Sequence, residues 1–489
     1  MPLPGEEIRR IRIEKLENLK KLGVDPYPEK SKFFVDSIKA VADKFSVLVK
    51  RKKVVGIAGR VMAKREHGGS MFLDLFDGTG KFQVFAAENT LKNTFSELRD
   101  VIDIGDIISV QGKLFRTKQK QQTISAHHWQ ILVKSLRPLP EKWHGISDAE
   151  ERFRKRYLDL MMNDGVRARF LLRSNIINAI RRFFNDEGFL EVETPMLHSI
   201  PGGALARPFI THHNALDQDF YLRVAPELYL KRLLIGGFQK IFEIGRNFRN
   251  EGIDHNHNPE FTMLEAYSAY ETRAECIDMV HKFLLAIAKS IFHKTFFTYQ
   301  GASIDCKKHA ELSFSEALER HALLPQYDKA SRSDFELAAS RFGISIKPSD
   351  TKSKIADIIF KKIVRPKLIQ PTFLLDHPLE ISPLAKRNPA RPHTALRFQL
   401  IVGGQELVNG FSELNDPLDQ AERFKLQEAL KNTGEAETMS YDGDFIEALE
   451  YGMPPAAGIG IGIDRLIMLL TDSDNIKEVI LFPTLRSKM

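Results

Sequence analysis

From Ala457 to Leu470 the sequence alternates glycine with isoleucine and then becomes an unbroken apolar run after Arg465. Alternate residues of an extended chain face opposite ways, so Gly458, Gly460 and Gly462 give a strand with one face of bare backbone. A flat ligand can lie close against such a face. The run after Arg465 has helical character, which sets Asp464 and Arg465 at a strand-to-helix junction. A dinucleotide fingerprint needs G-x-G-x-x-G opening a helix. Here the glycines lie within the strand, and that reading is rejected.

A second segment, Ile241 to Glu251, alternates as a strand and puts Arg249 and Glu251 on one face. The chain continues through Asp254, His255, His257 and Pro259 into a returning strand, Glu260 to Glu265. The hairpin gathers a guanidinium, an imidazole, an aromatic ring and carboxylates. In isolation an arginine beside a carboxylate is more commonly a structural ion pair. An arginine also binds phosphate bidentately, an aromatic such as Phe261 stacks a base, and an imidazole reaches a terminal phosphate. His255 and His257 could instead ligate a metal, but no third soft ligand is apparent. A third segment, Gly403 to Asn415, carries Glu406 and Glu413 among apolar residues and glycines. Their odd separation lets them face one pocket only if a bend or bulge intervenes, and carboxylates near a triphosphate are reasonable magnesium ligands.

At 489 residues the chain is too long for one compact domain. Its net charge of +7 suits either a polyanionic partner or a solubilising surface. Two cysteines, Cys276 and Cys306, lie far outside CxxC spacing, so neither a zinc site nor a disulfide framework is expected, and a reducing cytoplasm fits. No apolar run approaches a membrane span, and the N-terminus has no secretory pattern. We read 1–50 as a helical extension whose basic face either follows a phosphate backbone or is simply solvated. Five short strands within 51–137, with a helical segment near Leu91 to Asp100, suit a closed barrel of the OB type. Proline-stiffened 138–150 is the linker. The remainder, 151–489, is the larger domain, with a mostly helical insertion at about 272–371.

In this order the segments resemble the motifs of class II aminoacyl-tRNA synthetases. Pro195 with its helix and strand resembles motif 1, Phe248 to Glu251 resembles motif 2, and Gly460 to Arg465 resembles motif 3. The preceding barrel is similar to that of the aspartate, asparagine and lysine subgroup. Ile200 to Ala204, Ala225 to Lys231 and Asn409 to Asn415 resemble lysyl-tRNA synthetases of the bacterial kind. The fold implied is α+β, an N-terminal OB-type β-barrel followed by a catalytic domain of antiparallel sheet flanked by helices, with a helical insertion.

The resemblance implies L-lysine, ATP and tRNA(Lys) as substrates, Mg2+ as cofactor, a cytoplasmic homodimer and no membrane. Arg249 would bridge the substrate carboxylate and the α-phosphate, and Arg465 would clamp the γ-phosphate side; these two are the implied catalytic residues. Phe261 would stack on adenine, Glu251 would meet its amino edge, and His257 would approach the terminal phosphates. Glu227 and the Gly203 carbonyl would take the α-amino group. Glu265 and Glu413 would hold the ε-ammonium with Tyr267 as hydroxyl partner, and Asn409 and Phe411 complete the lysine site. Glu406 is the implied metal ligand, with Glu413 as a further candidate. The family carries a second metal-binding glutamate in an Arg-Phe-Glu run, where this chain has Gln399, so weaker or fewer magnesium sites are expected. In the barrel, Phe72 matches the base-stacking position, with Arg60 and Gln83 as polar readers; without the resemblance, Phe72 reads as barrel core. The alternatives are an aspartate or asparagine sister enzyme, and an RNA-binding paralogue without catalysis.

Overall fold

A computed structural model describes residues 4–140, 148–324, 326–432 and 438–487. Part of the linker reading, 141–147, lies outside these residues. The chain divides into two compact units, Met1–Ser147 and Asp148–Met489.

The first unit is a closed five-stranded barrel, as the spacing of short strands implies. Its strands are β1 (Val54–His67), β2 (Ser70–Phe76), β3 (Lys81–Ala87), β4 (Ile107–Arg116) and β5 (Gln122–Val133), joined in the order β1-β2-β3-β5-β4. Alternation sorts the faces: Met71, Leu73 and Leu75 of β2 point inward, and Phe72 and Asp74 point outward. The N-terminal extension is helical over Pro4–Lys21, Ile38–Asp43 and Phe45–Lys50. Leu19, Ile38, Val41 and Phe45 join the barrel core, so the extension caps the barrel with apolar side chains. In the first helix Arg12 is buried, donating to the carbonyls of Ile104, Ser135 and Arg137.

The second unit is built on an eight-stranded sheet. Its strands are β6 (Leu190–Glu191), β7 (Lys240–Phe248), β8 (Glu260–Ala269), β9 (Ala310–Ser313), β10 (Thr372–Leu375), β11 (Arg397–Val402), β12 (Gln405–Ser412) and β13 (Ala456–Gly462). The order is β9-β10-β11-β12-β13-β8-β7-β6. The expected antiparallel pairing holds across the middle, while the pairs at both edges, β9 with β10 and β7 with β6, are parallel. The helix Asp164–Asp186 turns Ile176, Ala179, Ile180 and Phe184 onto the sheet, at helical spacing. It stops where Gly188 takes φ +83.

Two expectations change. The strand expected just before Pro195 is short, Leu190–Glu191, and beyond it Thr194 donates its hydroxyl to the buried Glu243 at 2.6 Å. The stretch 272–371 is mostly helical, but not all of it is an insertion. Its first helix, Arg273–Phe292, belongs to the sheet's own core through Val280, Phe283 and Ile287. A hairpin, Phe296–Tyr299 with Ala302–Asp305, follows before edge strand β9. Only the helices Phe314–Ala322, Arg332–Arg341 and Lys352–Ile359 form a separate apolar cluster, around Phe314, Phe335 and Phe360.

Candidate active site

The motifs converge on one cavity of about 1350 Å3 in the second unit, lined by Gly203, Glu227, Arg249, Glu251, His257, Phe261, Gln399, Glu406, Asn409, Phe411 and Arg465. The β7–β8 hairpin forms one wall. Arg249 lies just past the end of β7, where its N–H donates to the Pro259 carbonyl at 2.8 Å. Its guanidinium stands 5.1 Å from the Phe261 ring centroid, and its Nε is buried without a hydrogen-bond partner. A guanidinium held over an aromatic with donors to spare is prepared for an anion. Glu251 lines the cavity without forming an ion pair with Arg249 among the described residues.

Beneath the hairpin, Arg223 and Glu243 form a buried ion pair at 2.5 Å, and Arg223 Nε donates to the Arg246 carbonyl at 2.9 Å, tying Arg223 to β7. Asp464, one residue before Arg465, accepts from Arg173 at 2.6 Å and from the Thr262 N–H at 2.7 Å, tying the strand-to-helix junction to β8. Arg465 itself faces His257, with Nη2 to Nε2 at 3.3 Å. Asp254 accepts from Nδ1 of His257 at 2.9 Å, the tautomer that leaves Nε2 free to accept from Arg465. His255 turns away to Asn475. No group of three or more His, Cys, Asp or Glu converges as a metal cage among the described residues, so the two histidines do not form one.

Glu406 and Glu413 meet the bulge their spacing demands. In the pairing of β11 with β12, Val408 opposes Leu400 and Glu406 opposes Ile401, so Leu407 is the extra residue. That single residue brings Glu406 onto the face of Asn409 and Phe411.

The deeper part of the site was not legible in full. Glu265, Tyr267 and Glu413 lie behind the cavity wall, and Tyr267 donates to Glu265 at 2.9 Å. Between them stands Lys231, fully buried, with its ammonium 2.6 Å from Glu227, 2.5 Å from Glu413 and 5.4 Å from the Phe411 ring centroid. Sequence reasoning missed it. The available signal was a Glu-x-x-x-Lys spacing on the helix Glu227–Ile235, whose remaining residues are apolar except Tyr229 and Arg232. The two carboxylates keep Lys231 charged against the cost of burial. Glu265 has no cation in contact; burial, and then the charge of Glu227, push it up to about 8. Arg397 is a second residue the reading passed over. Its Nε donates to Asn409 Oδ1 at 2.8 Å, orienting that amide at the cavity.

The glycine strand serves these groups rather than leaving a bare face open along its length. A Cβ at Gly458 would collide with Glu413 Oε1 and the Tyr267 ring, and one at Gly460 with Met263. Gly460 and Gly462 still line the cavity.

In the barrel unit, Phe72 lies half-buried on the outer face against Phe85, with centroids 5.0 Å apart, so it is not core. Gln83 shares that face and accepts from the Thr123 hydroxyl at 2.8 Å. Arg60 is not brought to them: it pairs with Phe76 in the β1–β2 register, where Phe72 opposes Arg65, and its guanidinium donates to the Gly105 carbonyl at 2.7 Å.

The family model described as tRNA synthetases class II (D, K and N) matches residues 148–486. The chain belongs to that family. It is therefore an aminoacyl-tRNA ligase, and a second model, for an OB-fold nucleic acid binding domain, matches residues 55–139. This class II synthetase is similar along its whole length to three proteins named lysine–tRNA ligase. That of Carboxydothermus hydrogenoformans is 47% identical, over 99% of this chain and 98% of that protein. That of Pelotomaculum thermopropionicum is 48% identical over 99% and 95%, and that of Moorella thermoacetica 47% over 100% of both. No helix among the described residues is long and apolar enough to cross a membrane.

Proposed function

We propose that this synthetase activates L-lysine with ATP to lysyl-adenylate and pyrophosphate, then transfers lysine to the 3′ end of tRNA(Lys). The buried acidic pocket carries the reading. Three carboxyl groups, Glu227, Glu265 and Glu413, stand against one internal ammonium, Lys231. Two are left over, matching the two ammonium groups of a lysine substrate. The full-length similarity to proteins named lysine–tRNA ligase supports the same assignment.

The lysine carboxylate, already ionised at neutral pH, attacks the α-phosphorus in line, and pyrophosphate leaves. The terminal ribose hydroxyl of tRNA then attacks the adenylate carbonyl. Rate comes from positioning and from neutralising phosphate charge. Arg249 holds the carboxylate and α-phosphate together, Arg465 with His257 meets the outer phosphates, Phe261 stacks the base, and Glu251 meets its amino edge. Gly203 and Glu227 take the α-amino group; Asn409 and Phe411 flank the side chain. Magnesium bound with ATP supplies further positive charge. Glu406 offers it a carboxylate, which fits an ion that keeps most of its ligands as water and phosphate. Phe72 and Gln83, within 51–137, read the anticodon by stacking and hydrogen bonds, while Arg60, engaged with the Gly105 carbonyl, stands apart from them. The reading takes the enzyme as a cytoplasmic homodimer, after the likeness of the Pro195 segment to motif 1.

The test is amino-acid-dependent pyrophosphate exchange with lysine, aspartate and asparagine. Exchange is expected with lysine alone, and exchange with another amino acid but not lysine would sink the specificity. Protonation gives an independent check. Glu265, held near 8 before lysine arrives, carries a proton at pH 7, and an incoming ammonium favours its carboxylate. Binding then expels a proton. The dissociation constant for lysine is expected to fall by up to about tenfold per unit between about pH 6 and 8, then level off. Calorimetry at pH 7 in buffers of different ionisation enthalpy reads that proton directly; a buffer-independent heat would refute it.

A further inference from the structure

Of the two metal-ligand positions that the resemblance implies, this chain has a carboxylate at one, Glu406, and an amide at the other, Gln399. At the family's second metal-ligand position Gln399 is buried, and its Oε1 accepts from His377 Nε2 at 3.1 Å. The amide thus brings no negative charge, and its oxygen is already engaged. A first magnesium fits at Glu406; a second does not fit this donor set.

A side-chain cation stands there instead. Arg365 opens the short turn Arg365–Lys367 after the helical insertion and lines the same cavity as Gln399, Glu406 and Arg465. The segment following Arg365 is fastened to the turn between β11 and β12: Gly403 N–H donates to the Ile369 carbonyl at 2.8 Å and Gly404 N–H to that of Leu368 at 3.0 Å. Gly404 also lies so close to Pro366 that a Cβ would come within 3.2 Å of its Cα. Arg365 is therefore indexed to the strands that carry Gln399 and Glu406. Its Nε is buried without a partner, as is that of Arg249. Burial opposes its charge, and Glu406 is the first group that offsets this, while Arg465 adds to the cost. The three arginines face Glu251, Glu406 and Asp357, and Asp357 is already paired with Lys361 at 2.7 Å, which leaves positive charge that a triphosphate would neutralise.

We propose that Arg365 supplies, as a fixed side-chain cation, the positive charge at the triphosphate end that a second magnesium ion would otherwise bring. The inference rests on the ATP reading of the cavity. It makes the enzyme's grip on ATP less dependent on free magnesium than two carboxylate ligands would.

The test uses the full chain, a non-hydrolysable ATP analogue bridged by methylene between the α- and β-phosphorus, and Mn2+ counted by electron paramagnetic resonance. One Mn2+ per bound nucleotide is expected. Arg365→Gln is expected to weaken analogue binding by about 10- to 100-fold at low Mg2+, with the gap narrowing as Mg2+ rises. Arg365→Lys, which keeps the charge, is expected to retain most of the affinity. The double variant R365Q/Q399E is expected to take up a second Mn2+. Two Mn2+ on the unaltered protein, R365Q binding as the parent at every Mg2+ level, or a double variant still holding one Mn2+ would each overturn the proposal. Should the unaltered protein bind no analogue, the ATP reading itself fails and takes this inference with it. The Mn2+ count on the parent protein decides the matter even if R365Q does not fold.

Discussion

Arg249→Ala is expected to lower lysine-dependent pyrophosphate exchange by about 10^3-fold, the scale of removing one preorganised cation from a phosphoryl-type transition state. The reason is geometric. Arg249 is held by its own backbone hydrogen bond to Pro259 and by the Phe261 ring, and its Nε is buried without a partner. Arg465 and Arg397 could reach that position only by abandoning contacts, with His257 and with Asn409 respectively. The loss should fall mainly on kcat, because the charge that Arg249 meets grows as the carboxylate bonds to phosphorus. Arg249→Lys restores the charge but not the two-pronged geometry and should recover only part of the rate. Steady-state exchange kinetics separate these outcomes. A purely elevated KM with kcat unchanged would recast Arg249 as a ground-state anchor.

Lys231→Met should damage the fold as well as the chemistry. It strips the cation from two buried carboxylates, and breaking a buried pair by removing one partner typically costs about 3–5 kcal/mol. Glu227 and Glu413 would respond by taking up protons. Burial already holds their folded-state pKa values above those of the unfolded chain, Glu413 at about 8, and loss of the cation would raise them further, so the folded protein would hold more protons that unfolding releases. Stability of the variant should therefore fall as pH rises from the ordinary carboxylate range towards 8, more steeply than in the parent. Urea unfolding at pH 6 and pH 8 measures the difference. Saturating lysine, which delivers an ammonium to the same cluster, should recover part of the loss. A variant as stable as the parent at both pH values would show that Lys231 does not hold the pocket's charge.

Much of this was legible before any coordinates. The barrel followed from period-two alternation in five short stretches, and the same alternation forces Phe72 outward once Met71 and Leu73 are inside. The bulge at Leu407 was required by the odd spacing of Glu406 and Glu413, provided both serve one site. What stayed hidden are relations between distant segments. Lys231 looks like one more solvated helix lysine until Glu413, from another element, closes over it. Arg365 sits in a stretch that reads as generic helix, and only the hydrogen bonds of Gly403 and Gly404 to the residues after it bring it to the phosphate end. The stretch 272–371 was misjudged because its first helix is amphipathic in the ordinary way. Periodicity says which face is buried without saying against what.

The extra residue at Leu407 works as a phase adjuster between two functions on one strand. Substitution at Asn409, Phe411 and Glu413, the proposed amino-acid end, need not disturb Glu406 at the proposed phosphate end, because the two are indexed by a backbone count. Register is the quantity that cannot drift. Were the bulge to flatten with Leu407 kept in the strand, strict alternation would turn Glu406, three residues from Asn409, to the opposite side of the sheet, so that the proposed parts for holding ATP and for holding an amino acid would both survive but no longer share a substrate.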